Sequence, residues 1–361
     1  MQSNATELSK ETMLYPRAIG VGTANPETSY DQETIADLFG EKSPRIRKLF
    51  KNSHIQKRYL YLPKPDVNGL LRQEDASSLQ AKHLHGSLEM GCEAINKSLV
   101  ESNLTVNDID YIICVSSTGF ICPGLSAHIT KKMNFRSDIR RADILGMGCS
   151  AGMNGLQSAS EYAKANPGKK VMLLMAEVCS AAYFIDGTVT TAVVNSLFGD
   201  GAAALIVTAS NDNSWFDGPL IMDFESEVIT NNIDALRYDF VEGMFSFYLD
   251  RDIPYVIGSN IHKPIQRLLT RNNLKLRDID HWIIHSGGKK VIDSIKYNIN
   301  VTNYDVRHTL NVLRDYGNMS SCSFMFSYDL LRKENIVNEG DLGLAIAMGP
   351  GVAIETALLR W

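Results

Sequence analysis

The sequence predicts an α/β protein made of two duplicated halves, and three observations support that fold class. The segment NLTVNDIDYIICVSS, which begins at Asn103, recurs as NLKLRDIDHWIIHSG from Asn273, at an offset of 170 residues. Both copies contain a short apolar run, which is typical of strands buried on both faces of a sheet. A strand-to-helix transition and a Gly-punctuated turn then follow in the same order in each half, which favours duplication over chance.

Each element of the repeat has its own sequence signal. Each copy predicts the end of a helix, a turn at Asp-Ile-Asp and a buried strand. The next transition is RRADILGMGCSAGMNGLQSASEYAKA in the first half and LRDYGNMSSCSFMFSYDLLRK in the second, and both predict a strand followed by a helix. The halves close on FGDGAAALIVTA from Phe198 and AMGPGVAIETALLR from Ala347. We place the two halves at residues 1–215 and 216–361.

Composition and charge narrow the class of protein. The chain has 361 residues, of which 44% are hydrophobic, enough to bury a large core. Its formal net charge of -5 argues against nucleic acid as a partner, because nucleic-acid binding usually needs a broad basic face. No apolar run approaches the roughly 20 residues that span a bilayer, and the first residues lack the basic-then-apolar order of a secretory signal. We therefore expect a cytoplasmic protein with no membrane partner.

The cysteines indicate reduced thiols. Six are scattered through the chain without a CxxC pair, so neither a disulfide framework nor a zinc site has its usual spacing. Most of the six lie in apolar stretches, where a cysteine usually acts as a small buried side chain. We expect no metal site.

Three residues far apart in the chain carry the strongest chemical signal: Cys149, His285 and Asn318. Each lies in a short Gly/Ser-rich segment at the end of an apolar run. A thiol, an imidazole that can take its proton and an amide that can polarise a carbonyl are the groups needed for attack on an acyl group. Singly, each has an ordinary explanation as a core residue or a turn former. Together, at nearly corresponding places of two halves, they predict an acyl-transfer enzyme.

The surroundings of Cys149 predict an activated thiol. The run before it is strand-like and the run after it has small and apolar residues at helical spacing, so Cys149 falls at a helix N-terminus. The helix dipole favours a thiolate there, and we expect a lowered pKa. The small neighbours Gly148, Ser150, Ala151 and Gly152 let a substrate approach the backbone closely.

The same residues carry a resemblance to a known family. Five motifs contribute to it: GCSAG around Cys149, SLFGDGAAALIV around Phe198, HSGG at His285, YGNMSS around Asn318 and GPG at 349–351. As a set they resemble the type III polyketide synthases of the chalcone synthase superfamily, from about Ala18 to the C-terminus. The resemblance implies a thiolase-like fold with five layers, αβαβα, and a homodimer.

That resemblance also implies the roles of the three residues. Cys149 would carry the acyl chain, while His285 and Asn318 would stabilise the enolate formed when a malonyl thioester loses carbon dioxide. Donors aimed at the enolate oxygen stabilise it more than they stabilise the substrate. The implied substrates are malonyl-CoA and acyl-CoA thioesters, and no cofactor stays bound.

The walls of a substrate pocket follow from the same resemblance. Phe198 and Phe247 match the paired phenylalanines that gate the family's cavity. Cys179 and Ala182 stand where chalcone synthase has threonines, and Cys122 stands where it has a methionine that reaches across the dimer. A flavonoid-type pocket is therefore not expected. The remaining pocket positions are Ser117, Thr118 and Ser320.

A basic segment, PRIRKLFKNSHIQKRYLYL, predicts the entrance for coenzyme A, whose phosphates need cations. When this segment is compared with the corresponding segment of the family, Arg45 and Lys48 match two of three phosphate-contacting positions. The third is Asn52, a departure from the family, and neighbouring Lys51 can supply the missing charge. A basic amphipathic helix that merely faces solvent is the alternative.

Four further segments narrow the reaction. GVGTA at Gly20, STGF at Ser117, CSAAY at Cys179 and VVNSLFGDG at Val193 are most similar to bacterial 3,5-dihydroxyphenylacetyl-CoA synthases. Those enzymes use malonyl-CoA as both starter and extender, join four units and close a resorcinol-type ring that remains a coenzyme A thioester. The resemblance implies the same reaction for this chain.

Other functions stay open on the sequence alone. Within the family, a fatty acyl or aromatic starter would lead to pyrones or resorcinols. An initiating ketoacyl carrier protein synthase shares the three residue types but uses an acyl carrier protein. A papain-like hydrolase has them in the same order, although it expects the cysteine near the mature N-terminus. A non-catalytic binding module would not need the thiol.

Overall fold

The computed structural model describes residues 14–209, 218–241 and 243–361. The strands of these residues are β1 Arg17–Ala24, β2 Ser29–Asp31, β3 Lys57–Tyr59, β4 Tyr111–Val115, β5 Arg140–Ile144, β6 Lys170–Glu177, β7 Gly201–Thr208, β8 Leu220–Val228, β9 Leu236–Val241, β10 Met244–Leu249, β11 His281–Ile284, β12 Leu342–Gly349 and β13 Ala353–Arg360. Their α-helices are α1 Gln32–Leu38, α2 Pro44–Lys51, α3 Ala76–Glu101, α4 Leu125–Met133, α5 Ala151–Ala165, α6 Val189–Leu197, α7 Ile253–Asn260, α8 His262–Arg271, α9 Lys289–Ile299, α10 Arg307–Tyr316 and α11 Ser323–Glu334. The boundary predicted between residues 215 and 216 lies outside the described residues.

Nine of these strands form one mixed sheet, in the order β11-β12-β13-β8-β1-β7-β6-β4-β5. In the first half, β4 is parallel to β5 and β6, and the directions of β6, β7 and β1 then alternate. The second half repeats the arrangement, with β11 parallel to β12 and the directions of β12, β13 and β8 alternating. The two groups of strands join at one residue pair, Arg17 and Leu220. This equivalence of strands confirms the predicted duplication.

Two helices lie between the two groups of strands. α5 packs against β6 and β12, and α11 packs against β7 and β11, so each helix contacts both halves. The core around them takes Leu173 and Leu205 from the first group, and Ala345 and Leu359 from the second. α3 and α4 cover the outer face of the first group, and α8 covers that of the second. The layers therefore follow the order helices, first group of strands, helices α5 and α11, second group of strands, helix, which confirms the five layers.

The two copies of the sequence repeat fold alike. Asn103 and Asn273 have φ angles of 53° and 56°, in the left-handed region that asparagine tolerates well. Each is followed by a 3-10 turn, Val106–Asp108 or Leu276–Asp278, and then by β4 or β11. In both turns the final aspartate accepts a hydrogen bond of 2.8 Å from the backbone N–H three residues earlier. The predicted helix end, turn and buried strand are confirmed in both halves.

The second half departs from the prediction just before the YGNMSS segment. The sequence predicts a strand there, but Arg307–Tyr316 forms α10. Its buried residues are His308, Thr309, Val312 and Leu313, a spacing that defines one face of a helix rather than the alternation of a strand. The strand prediction is therefore wrong. Among the described residues, the second group of strands has no counterpart of the edge strand β5.

Three further structural facts bear on function. All six cysteines are free. Within the described ranges, no three histidine, cysteine or acidic side chains come together as a metal site. No α-helix in that part of the chain is both long enough and apolar enough to cross a membrane.

Candidate active site

Cys149 lies in a 3-10 turn, Gly148–Ser150, directly before α5, as the small residues around it predict. The turn needs glycine at position 148, where φ is 55° and an added Cβ would lie 2.1 Å from Cδ of Pro350. The Cys149 side chain is buried, with 5% of its surface exposed. The side chains of Ser320 and Asn318 lie close enough to its sulfur to influence the pKa of the thiol. The sulfur therefore lies near residues of the second half.

Asn318 follows α10 and is held by backbone pairing with the first half. Its N–H donates to Leu197 O over 3.0 Å, and its carbonyl accepts from Gly199 N over 2.9 Å. Its side-chain oxygen accepts from the backbone N–H of Ser320 over 2.8 Å. The Asn318 side chain lowers the pKa of the Cys149 thiol, and the NH₂ group is the end of the amide that can donate to a thiolate.

His285 follows the last residue of β11, and its N–H donates to Ile346 O of β12 over 2.8 Å. The next residue, Ser286, donates from its hydroxyl to Gly317 O over 3.1 Å, which ties this turn to the residue before Asn318. The His285 ring is almost fully buried, and its Nδ1 has no hydrogen-bond partner in the described part of the chain. Burial lowers the pKa of His285 to about 3, so the imidazole is neutral.

The pKa of the Cys149 thiol differs from the prediction. Burial raises the pKa of Cys149 to about 12, against the pull of the hydrogen bonds from Ser320 and Asn318, and the negative charge of Glu177 acts in the same direction as burial. The expectation of a lowered pKa is therefore wrong in direction, because desolvation at this depth outweighs the favourable helix start. A thiol with a pKa this high needs a base to take its proton at the moment of attack.

Glu177 is a buried acid that the sequence reasoning missed. It ends β6 with none of its surface exposed, and burial raises its pKa. Its carboxylate accepts from the N–H and hydroxyl of Ser117, over 2.9 and 3.0 Å, and from the hydroxyl of Ser321. The signal for it was a single carboxylate closing the apolar run VMLLMAE. Thr118 lies beside it, with Oγ1 accepting from Val178 N over 2.9 Å.

The proposed pocket residues fall into two groups. Phe198 and Phe247 are both buried and meet edge to face, with ring centroids 5.0 Å apart. Cys179 and Ala182 are buried in one 3-10 turn, and Cys179 belongs to the same apolar cluster as the two phenylalanines and Cys149. Cys122, in contrast, is exposed on the surface of the chain.

The three basic residues predicted to meet coenzyme A lie together on one helix. Arg45, Lys48 and Lys51 are all on the exposed side of α2. The opposite side of α2 buries Ile46 and Phe50 in the apolar cluster that contains Cys149 and the two phenylalanines. Amphipathic packing thus fixes which face of this helix reaches solvent.

Comparison with known proteins agrees with this geometry. The models "Chalcone and stilbene synthases, N-terminal domain" and "Chalcone and stilbene synthases, C-terminal domain" match residues 9–211 and 224–361. The chain belongs to the chalcone and stilbene synthase family. It is a type III polyketide synthase with the thiolase-like fold that the motifs predicted.

Among curated relatives, the 3,5-dihydroxyphenylacetyl-CoA synthase of Amycolatopsis orientalis is 46% identical, over 96% of this chain and 93% of its own. The 1,3,6,8-tetrahydroxynaphthalene synthase of Streptomyces peucetius is 30% identical, over 94% of this chain and 92% of its own. Among solved structures, PKS-I from the brown alga Ectocarpus siliculosus superposes with a TM-score of 0.88 at 26% identity, covering 97% of this chain and 99% of its own.

Proposed function

We propose that this polyketide synthase condenses malonyl-CoA units, used as both starter and extender, to 3,5-dihydroxyphenylacetyl-CoA. The observation that supports it is the 45–46% identity, along 96% of the chain, to three relatives that carry that name. Identity to the tetrahydroxynaphthalene synthase, an enzyme of the same family with another product, is 30%. The contrast favours the first product.

The proposed reaction begins with loading of the starter on Cys149. As the sulfur attacks the thioester carbonyl, the neutral imidazole of His285 takes the thiol proton. A carbon–sulfur bond to Cys149 forms, the bond to the coenzyme A sulfur breaks, and the proton passes to the departing thiolate. The raised pKa of Cys149 makes this base necessary.

Extension then uses His285 and Asn318 on a second malonyl-CoA. Carbon dioxide leaves, and the electron pair of the broken bond moves onto the thioester oxygen as an enolate. The Asn318 amide and the ring N–H of His285 donate to that oxygen, which stabilises it in a site with little water. The enolate carbon attacks the acyl carbon on Cys149, a carbon–carbon bond forms, and the sulfur leaves.

The flanking residues have supporting roles in this proposal. Phe198 and Phe247 form a dry boundary beside the acyl chain, and Arg45, Lys48 and Lys51 bind the phosphates of coenzyme A. A phosphate would meet guanidinium and ammonium groups on an exposed face of α2. Coenzyme A thioesters are the only substrates required.

We also propose that the enzyme is a homodimer. The edge strand β5 leaves one side of the sheet unpaired in the described chain, and unpaired edges are usually covered. Leu145 and Met147, which follow this strand, are 40% and 37% exposed, and Phe120 is 60% exposed. An apolar edge of this kind fits a second copy of the chain.

Incubation of the purified protein with [2-¹³C]malonyl-CoA alone tests the reaction. Mass spectrometry is expected to show an aromatic acyl-CoA, or its acid, carrying one label for each condensed unit. If malonyl-CoA alone gives no aromatic product while a fatty acyl or aromatic starter gives turnover, the proposal is wrong. Acetyl-CoA as the only product would also contradict it.

The pH dependence of decarboxylation tests the neutral imidazole. In a Cys149→Ala variant, release of acetyl-CoA from malonyl-CoA is expected to change by less than about 2-fold between about pH 5.5 and 8. The reason is that burial places the pKa of His285 at about 3, so lowering the pH through 6.5 does not charge the ring. A rate that changes with a midpoint near pH 6.5 would show that the imidazole titrates in this range.

A further inference from the structure

Arg58 is a fully buried cation that the reaction described above does not use. It lies on β3 with none of its surface exposed. Its five hydrogen bonds all end on neutral oxygens: Phe198 O at 2.6 Å, Asn195 O at 2.7 Å, Tyr183 Oη at 2.9 Å, and Gln32 Oε1 at 2.7 and 3.0 Å. Burying a guanidinium without a carboxylate is unfavourable unless its donors are well satisfied.

The buried acid in the same region, Asp200, is occupied elsewhere. Its carboxylate accepts from the N–H and hydroxyl of Ser180, over 2.8 and 2.6 Å, and from Tyr61 N over 2.7 Å. The arginine therefore donates to neutral groups, two of them backbone carbonyls, and not to a counter-ion. One of those carbonyls, that of Phe198, also accepts from the Tyr183 hydroxyl over 2.6 Å.

The aliphatic part of Arg58 contacts the other half of the site. A Cβ added to Gly317 would lie 2.8 Å from Cδ of Arg58 and 2.8 Å from Leu197 O, and the φ of Gly317 is 74°. The arginine thus fills the space against the residue that precedes Asn318. The backbone of Asn318 pairs with Leu197 and Gly199, on either side of Phe198.

The strand that carries Arg58 spans the same junction. Gln56, the residue before β3, donates from its N–H to Arg314 O of α10 over 2.7 Å, and the Tyr59 ring of β3 stacks on Tyr316 with centroids 5.7 Å apart. On the other side, Asp200 N donates to Tyr59 O over 2.9 Å. β3 therefore bridges the segment that carries Phe198 and the helix that leads to Asn318.

We propose that Arg58 is a positioning residue that fixes the Phe198 carbonyl and the Gly317–Asn318 turn relative to each other. Its Nη1 binds the carbonyls of Asn195 and Phe198 while Nε and Nη2 bind Gln32 Oε1, and the single nitrogen of an ammonium group cannot reach both sets of acceptors. The guanidinium group is planar and shielded from water, and it therefore keeps the Asn318 amide and the Phe198 ring in place relative to Cys149. The inference rests on the proposed function and adds a residue to it.

If these positions were lost, decarboxylation of malonyl-CoA would become uncoupled from condensation. The enolate would form more slowly, because the Asn318 amide is displaced; once formed, it would meet the acyl carbon on Cys149 less often, and water would protonate a larger share of it to acetyl-CoA. Small displacements of reacting groups lower rates by as much as about 100-fold. The ratio of acetyl-CoA to ring product measures this effect, and it does not depend on how much of the enzyme is folded.

The test is Arg58→Lys, which keeps the charge and removes the planar guanidinium group. We expect kcat for the ring product to fall by about 10-fold or more, with a higher ratio of acetyl-CoA to ring product and little change in KM for malonyl-CoA. If Arg58 only stabilises the fold, both products fall in proportion and the ratio stays at the wild-type value. That result would overturn the inference.

Two further variants complete the experiment. Tyr183→Phe removes the second donor to the Phe198 carbonyl; should Arg58→Lys be insoluble, a raised ratio here supports the inference and an unchanged ratio overturns it. Arg271→Lys is the matched control, because Arg271 binds Asp223 and Glu225 on the outer face of the second half. It is expected to keep the wild-type ratio. Absence of ring product from the wild type would contradict the proposed function and not this inference.

Discussion

Replacing Cys149 by alanine is expected to abolish the ring product while malonyl-CoA is still converted to acetyl-CoA. Without the sulfur no acyl-enzyme forms, and loss of a nucleophile of this kind lowers turnover by about 1,000-fold or more. Decarboxylation persists because its proposed donors, on His285 and Asn318, do not include the thiol. Chromatography of the coenzyme A thioesters, with mass detection, measures both products in one reaction.

The matched control for this variant is Cys92→Ala. Cys92 is half-buried on α3, in the outer layer of the first half, and its loss is expected to leave both products unchanged. Ring product from Cys149→Ala at a rate near that of the wild type would remove Cys149 from the mechanism. Loss of both products in the alanine variant would mean that decarboxylation also needs the sulfur.

Replacing Asn318 by alanine is expected to lower decarboxylation and condensation together, by about 100-fold to 1,000-fold. The substitution removes one of the two proposed donors to the enolate oxygen, in a buried site where water cannot easily replace it. The effect should fall on kcat, with little change in KM for malonyl-CoA, because the interaction is made mainly in the transition state. Steady-state kinetics for both products measures kcat and KM separately.

Asn166→Ala is the control for this substitution. Asn166 caps the C-terminal end of α5 and donates to Tyr162 O over 2.8 Å, so its loss affects only a helix end. Thermal unfolding of both variants separates loss of fold from loss of chemistry. A stable Asn318→Ala variant that decarboxylates malonyl-CoA as fast as the wild type would contradict the assigned donor.

Much of the fold was predictable because its signals are local. The apolar runs of β4 and β11, the Asp-Ile-Asp turns before them and the glycines before β7 and β13 each act over a few residues, and the structure confirms them. The helical spacing of buried residues in α10 was also present in the sequence. Duplication predicts a strand at that place, and the helical period of the buried residues overrides it.

In the predicted site, too, some residues are recognisable from local sequence and others only from the folded structure. The segments around Cys149, His285 and Asn318 are recognisable one by one, and in the structure the Asn318 and Ser320 side chains influence the pKa of Cys149. Glu177 and Arg58 were not recognised, because what distinguishes them is complete burial, and their partners lie over 100 residues away in Ser321 and Phe198. Residue type and spacing carry no record of such contacts.

Sequence patterns alone were enough for the duplicated α/β halves and the family, and they single out the three side chains of the proposed site, since short-range spacing and residue chemistry express all of them. The protonation states of those side chains depend on how the folded chain packs around them. The helix start at Ala151 favours a thiolate, but burial raises the pKa of Cys149 and lowers that of His285. Desolvation is a property of the surrounding atoms from both halves, so it arises only when the chain is folded.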